Sequence, residues 1–102
     1  MIRVIYRWNV SPERKQEFAD AWQKATRAIH GETPGALGSF CLENIEDVDE
    51  VLTVALWHSE QQWRDFIGSA KQGPMAALHD IGTLLSTTPY NQLGDETVAL
   101  EL

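Results

Sequence analysis

The sequence predicts an α+β domain in which four strands form an antiparallel sheet with helices packed on one face. Three observations predict it: strand-like alternation in the first ten residues, helix-start chemistry directly after them, and a second pair of strands, joined by an acidic turn, ahead of two more helical patterns. In the order strand, helix, strand, strand, helix, short helix, strand, these elements make a split βαβ arrangement of the ferredoxin-like kind.

Each element has its own signal. Ile2, Val4, Tyr6, Trp8 and Val10 alternate with Arg3, Ile5, Arg7 and Asn9, a period of two that reads as a strand. Ser11-Pro12-Glu13 offers a cap, a proline for the first turn and an acid beside the helix dipole. Phe18, Trp22, Ala25 and Ile29 then line one face of a helix that Gly31 is placed to end.

Pro34-Gly35 supplies a turn, and Ala36 to Asn44 reads as a strand with Leu37, Ser39 and Cys41 on one face and Gly38, Phe40 and Leu42 on the other. Ile45 to Val51, carrying Glu46, Asp47, Asp49 and Glu50, suits an exposed hairpin connection. The near-continuous apolar run Val51 to Trp57 is the pattern of a strand covered on both sides.

Ser59 and Gln62 have the spacing of a capping box, opening a helix with Trp63, Phe66, Ile67 and Ala70 on its apolar stripe. Pro74 begins another, on which Met75, Leu78, Ile81 and Leu85 recur at helical spacing. Tyr90 to Leu100 is expected to hold the last strand, interrupted at Gly94-Asp95, with the final residues a tail or an exchanged segment. Because the helices cover one face only, apolar residues on the other need a cover. A second copy of the chain, packed sheet against sheet, supplies it.

At 102 residues there is room for one domain, and a chain this short buries only about 60–68% of the surface it exposes when unfolded. The net charge of -7, from 15 acidic and 8 basic residues, repels phosphate backbones and anionic headgroups, so neither nucleic acid nor membrane is an expected partner. The single cysteine, Cys41, and an N-terminus that enters a strand without an apolar leader point to a cytoplasmic protein.

Four stretches carry a resemblance: Ile2-Arg3-Val4-Ile5, Val10-Ser11-Pro12-Glu13, Pro34-Gly35-Ala36-Leu37-Gly38-Ser39 and Trp57-His58-Ser59-Glu60-Gln61-Gln62-Trp63. In this order and at these distances the chain resembles the antibiotic biosynthesis monooxygenase family of dimeric α/β barrels. The resemblance implies a homodimer with a cleft between sheet and helices in each protomer. It also implies an activity among those of the family, which include cofactor-independent oxygenases that convert polycyclic phenols to quinones and heme-degrading enzymes.

In the quinone-forming relatives two asparagines, on the first and third strands, bind substrate and its developing oxyanion near a strand-ending tryptophan. The matching positions here are Tyr6, Thr53 and Trp57, and only the tryptophan is kept. In the heme-degrading relatives the matching positions are Tyr6 and Phe66, with His79 near the place of the iron-ligating histidine.

Individual residues allow two readings each. Tyr6 and Trp8 share a strand face; the phenol is either a donor to a substrate oxyanion or a core ring bonded to a backbone carbonyl. His79, beside Leu78, is a base or ligand in the cleft, or a histidine on the helix flank. His58, ending a strand, and His30, in the last helical turn, receive no role. Arg3 and Arg7 either pair with a partner's carboxylates or sit exposed at the strand edge. The acidic residues from Glu43 to Glu50 lack the glycine and alternate ligands of a calcium loop and read as a solvated hairpin tip. Cys41 reads as inert core.

The expected function is that of a cofactor-independent monooxygenase acting on a small apolar aromatic or quinol-type molecule, with neither metal nor cofactor. Tyr6, Trp57 and His79 are its candidate catalytic residues, and Trp8, Trp22, Thr53, Trp63 and Phe66 the candidate substrate contacts. Two alternatives stand beside it: a non-catalytic module that binds a hydrophobic ligand, and a heme-binding or heme-degrading protein.

Overall fold

The computed structural model describes residues 1–99. Strands β1 (Ile2–Asn9), β2 (Ala36–Glu43), β3 (Glu50–Trp57) and β4 (Thr83–Asn91) form one antiparallel sheet in the order β2-β3-β1-β4. Helices α1 (Lys15–Glu32), α2 (Glu60–Ile67) and α3 (Ala76–Ile81) lie on one face of it. The predicted split βαβ architecture is the one observed. No helix among the described residues is long and apolar enough to cross a membrane.

The alternation in β1 does what its period requires. Ile2, Val4, Tyr6 and Trp8 are buried under the helices, while Arg7 and Asn9 are exposed. Trp8 and Phe18, both fully buried, meet edge to face with ring centroids 5.3 Å apart, which pins α1 to the middle of the sheet.

Several boundaries differ from the sequence expectation, each for a physical reason. Ser11 makes no side-chain cap; a 3-10 turn over Pro12–Arg14 precedes α1 instead. The helix runs through Gly31 and stops at Glu32, because Thr33 precedes Pro34 and is held extended at φ -119°. Ser59 does cap α2, accepting from Gln62 N at 3.2 Å. Ile67 and Ala70 are nevertheless exposed, since α2 ends before its stripe can continue.

β2 does not keep a simple parity. Its pairing with β3 slips between Ala36 and Ser39, and Gly38 takes φ +99°, a conformation few residues other than glycine adopt. The bulge leaves Leu37 exposed with Phe40 and Leu42, and turns Ser39 toward the helices, where it meets Trp22.

The largest correction concerns the last strand. β4 spans Thr83–Asn91 rather than Tyr90 onward, and Leu85 belongs to it, not to the preceding helix. Gly82 stands at the switch in extended conformation, and a Cβ there would lie 3.0 Å from Val10 Cγ2 and 3.2 Å from Phe18 Cε2, so the chain passes close over the core at this point. Pro89 is tolerated because β4 pairs only with β1 and is an edge strand. Residues 92–99 carry no regular structure, and Leu100 lies outside the described residues.

The sheet face away from the helices is apolar and open. Phe40, Leu42, Leu37 and Tyr90 are exposed on it, and the β3 residues Leu52, Val54 and Leu56 are only half-buried. Arg3 and Arg7 find partners within the chain: Arg3 Nε donates to Gln92 Oε1 at 2.8 Å, and Arg7 Nη2 to Glu50 Oε2 at 3.2 Å.

Candidate functional site

Between α1 and the sheet lies a cavity whose inner end is formed by two hydroxyls on adjacent strands. Tyr6 and Thr53 are direct cross-strand partners, so both side chains point to the helix face at the same level. Each hydroxyl is held by an indole. Trp63 Nε1 donates to Tyr6 Oη at 3.2 Å, and Trp8 Nε1 donates to Thr53 Oγ1 at 3.1 Å.

A hydroxyl has one proton to give and two lone pairs to receive with. Among the described residues, neither Tyr6 nor Thr53 donates a side-chain hydrogen bond of its own. The two tryptophans occupy lone pairs, and among the described residues neither O–H proton has a side-chain acceptor. Burial pushes the Tyr6 phenol above its ordinary range, more than the Trp63 bond lowers it, so the phenol is a donor at neutral pH.

The middle of the cavity is apolar. Trp57 and Phe66, ring centroids 5.1 Å apart, form one wall with Ala55, while Met75 and Leu78 close it from the segment leading into α3. At the α1 side, Trp22, Thr26, Ile29 and His30 face Ala36, Gly38 and Ser39 of β2. Trp22 Nε1 donates to Ser39 Oγ at 2.9 Å, which fastens the indole to the strand. With that bond made the enclosed space is about 50 Å³. A small-molecule pocket usually offers ~300 Å³ or more. A fused ring system therefore enters only when Trp22 or its neighbours move.

The sequence of the chain matches the family model described as antibiotic biosynthesis monooxygenase over residues 1–76. The chain belongs to the antibiotic biosynthesis monooxygenase family. Solved structures agree with the fold. SnoaB, a cofactor-independent oxygenase from Streptomyces nogalater, superposes with a TM-score of 0.73 at 15% identity, covering 93% of this chain and 95% of SnoaB. The heme-degrader MhuD from Mycobacterium tuberculosis, solved with two hemes bound in its active site, reaches a TM-score of 0.78 at 16% identity, over 95% of this chain and 100% of MhuD. A conserved protein from Methanosarcina mazei gives 0.69 at 18% identity, over 89% and 91%. No sequence among the curated proteins matches.

Of the residues singled out in this member of the monooxygenase family, Tyr6, Trp22, Thr53, Trp57 and Phe66 line the cavity. Trp8 and Trp63 stand behind it, buried, as the donors to its two hydroxyls. His79 does not reach it. Its ring packs on Trp8 at 5.1 Å and is otherwise exposed, because α3 is one short helix that turns Leu78 inward and its neighbour outward.

Several lining residues carry no role in the sequence reading, among them Thr26, Ser39 and His30. Ser39 shares the inner face with Cys41, as alternation predicts, but the short polar side chain gives no sign of its bond to Trp22. His30 had a readable signal: Trp22, Thr26 and His30 form an i, i+4 row beside the apolar stripe of α1.

Cys41, half-buried, has its thiol pushed up by burial, in keeping with an unreactive side chain. The acidic hairpin is organised by Asn44, whose side-chain oxygen accepts from the backbone N–H of Glu46 at 2.8 Å and Asp47 at 3.1 Å.

The Tyr6 environment makes a stability prediction. The folded state holds the phenolic proton at pH values where the unfolded chain has lost it, so this contribution is complete below about pH 10 and declines as pH rises toward the higher folded value. In urea titrations from neutral to alkaline pH, wild-type stability falls above about pH 10, and Tyr6→Phe falls less steeply. Equal slopes would contradict the burial assigned to this hydroxyl.

Proposed function

We propose that the protein is a cofactor-independent monooxygenase of a small, ionisable aromatic or quinol-type molecule, bound between α1 and the sheet. The observation that carries the reading is the pair of undonated hydroxyls at the inner end of an otherwise apolar cavity. They occupy the two positions that match the substrate-binding asparagines of the quinone-forming relatives. SnoaB, a cofactor-independent oxygenase, supports the reading through its fold alone.

The chemistry asks little of the protein. A phenol or anthrone-type substrate places an oxygen against Tyr6 Oη and Thr53 Oγ1. As a proton leaves the substrate, negative charge gathers on that oxygen, where two donors already point. Preorganised donors of this kind act mainly on the charged state, and losing one typically costs ~10²–10³ in rate. The electron-rich anion passes an electron to dioxygen, and the two radicals combine. One oxygen atom stays on carbon as a new carbonyl and the other leaves as water. Trp57, Phe66 and Trp22 exclude water and hold the ring plane.

The size of the closed cavity favours a second reading, a module that binds an apolar ligand without turnover. The same proposal includes a homodimer joined through the open sheet face, which would cover Phe40 and Leu42, and a single domain working in a reducing compartment where Cys41 stays a thiol.

Oxygen consumption with a panel of hydroquinones and anthrone-type phenols tests the function. The expected result is uptake with at least one of them, lowered about 10²–10³-fold in Tyr6→Phe and in Thr53→Val. No uptake with any substrate contradicts the oxygenase reading, and tight binding without uptake selects the binding module. For the assembly, sedimentation of the wild type as a dimer and of Phe40→Asp as a monomer is expected, and a monomeric wild type would contradict it.

A further inference from the structure

The hydroxyl pair explains where an anion would be held but not where the proton goes. Tyr6 is a poor acceptor, since burial keeps its phenol protonated. Thr53 carries no basic group, and among the described residues no Asp, Glu, Lys or Arg lines the cavity. Among them the lining side chain with a basic nitrogen is the His30 imidazole. It stands at the opposite side of the cavity from the sheet, in the last turn of α1, and is exposed on its outer side, so a proton received from within has a route to solvent.

Resting on the oxygenase reading, we propose that His30 is the general base of the site: it removes the proton that converts the bound phenol or anthrone to its anion.

The activated C–H bond on the side of the ring away from the oxygen held by Tyr6 and Thr53 breaks, its electron pair stays with the substrate, and the proton forms an N–H bond on the imidazole. After dioxygen has added at that carbon, the terminal peroxide oxygen takes this proton back; the second C–H bond of the same carbon then breaks, its electron pair forms the carbonyl as the O–O bond breaks, and its proton joins the departing hydroxide as water. The i, i+4 row from Trp22 through Thr26 to His30 gives the arrangement its logic, since the residue fastened to Ser39 and the base share one strip of α1.

The charged groups around the imidazole are few. On its own helix they are Arg27, a turn earlier, and Glu32, two residues later. From the segment packed against the end of α1, Lys71 Nζ reaches the backbone oxygen of Glu32 at 3.5 Å. β2 contributes only Ala36, Gly38 and Ser39 here. α3 carries His79 against Trp8 and Asp80 toward Arg14, near the other end of α1.

The test is anaerobic mixing of dithranol, an anthrone-type phenol, with the whole chain, followed by absorbance. Wild type is expected to develop the dithranol anion band at a pH where the free compound is neutral. His30→Gln is expected to bind dithranol within about threefold of wild type but leave it neutral, and added imidazole is expected to restore part of the band. In air, the same variant is expected to lose about 10²-fold in kcat with little change in KM. His30 is exposed, so the substitution leaves the core intact.

An anion band of equal size in His30→Gln, or a neutral bound form in both proteins, overturns the assignment of His30 while the cavity keeps its ligand. No binding of dithranol by wild type overturns the oxygenase reading and this base with it. An anion that forms normally but consumes no oxygen overturns the oxygenase reading and leaves His30 as the proton acceptor of a binding site.

Discussion

Two indole-to-hydroxyl bonds organise this protein: Trp63 to Tyr6 and Trp8 to Thr53. Burying an aromatic ring is favourable, but burying an indole N–H or a phenol without a partner costs about as much as a hydrogen bond is worth. Each of these four side chains therefore needs its opposite number. Tyr6 and Thr53 are brought together by the β1–β3 register, and Trp8 reaches the same level from the next inward position of β1. Trp63 arrives on α2, whose start is fixed by the Ser59 cap. A slip of one residue in the register would send Tyr6 to the open face and orphan the Trp63 N–H.

Those bonds also decide what the cavity offers. If the hydroxyls gave their protons to backbone carbonyls, the cavity would be an apolar gap. Because they receive from tryptophans instead, it has an inner end of two donors with apolar walls. The resemblance implies a pair of substrate-binding asparagines at the positions of Tyr6 and Thr53, and under the proposed function the two hydroxyls, backed by indoles, take over their task as donors. On this account the change of residue type keeps the electrostatic task of holding a developing oxyanion and alters its shape.

Much of the fold was legible in the sequence. The alternation of β1 and the stripe of α1 are long, periodic signals that place Tyr6 and Trp22 on inner faces, whereas the continuous apolar run of β3 marks a strand without choosing a face, and Thr53 and Trp57 were picked out through the family resemblance. What was not legible lies where one residue overrides a pattern. Gly38 breaks the parity of β2 and separates Leu37, which is exposed, from Ser39 and Cys41, with which alternation grouped it. At Gly82 the chain passes close to Val10 and Phe18, a constraint that exists only in three dimensions. β4, with two adjacent leucines followed by Ser86-Thr87-Thr88 and a proline near its end, shows no period of two and is recognised by its pairing with β1. His79 looked inward because it neighbours Leu78, but in a helix of 6 residues with one fully buried position its neighbour points away.

The central claim is that the Tyr6 and Thr53 protons are free to bind a ligand oxygen. The carbonyl stretch of a bound anthrone or quinone, read by infrared difference spectroscopy, measures this directly. The account predicts a frequency lowered on binding to wild type, partly recovered in Tyr6→Phe and in Thr53→Val, and fully recovered when both are changed. A bound carbonyl that vibrates as it does in an apolar solvent, or that ignores both substitutions, would contradict it.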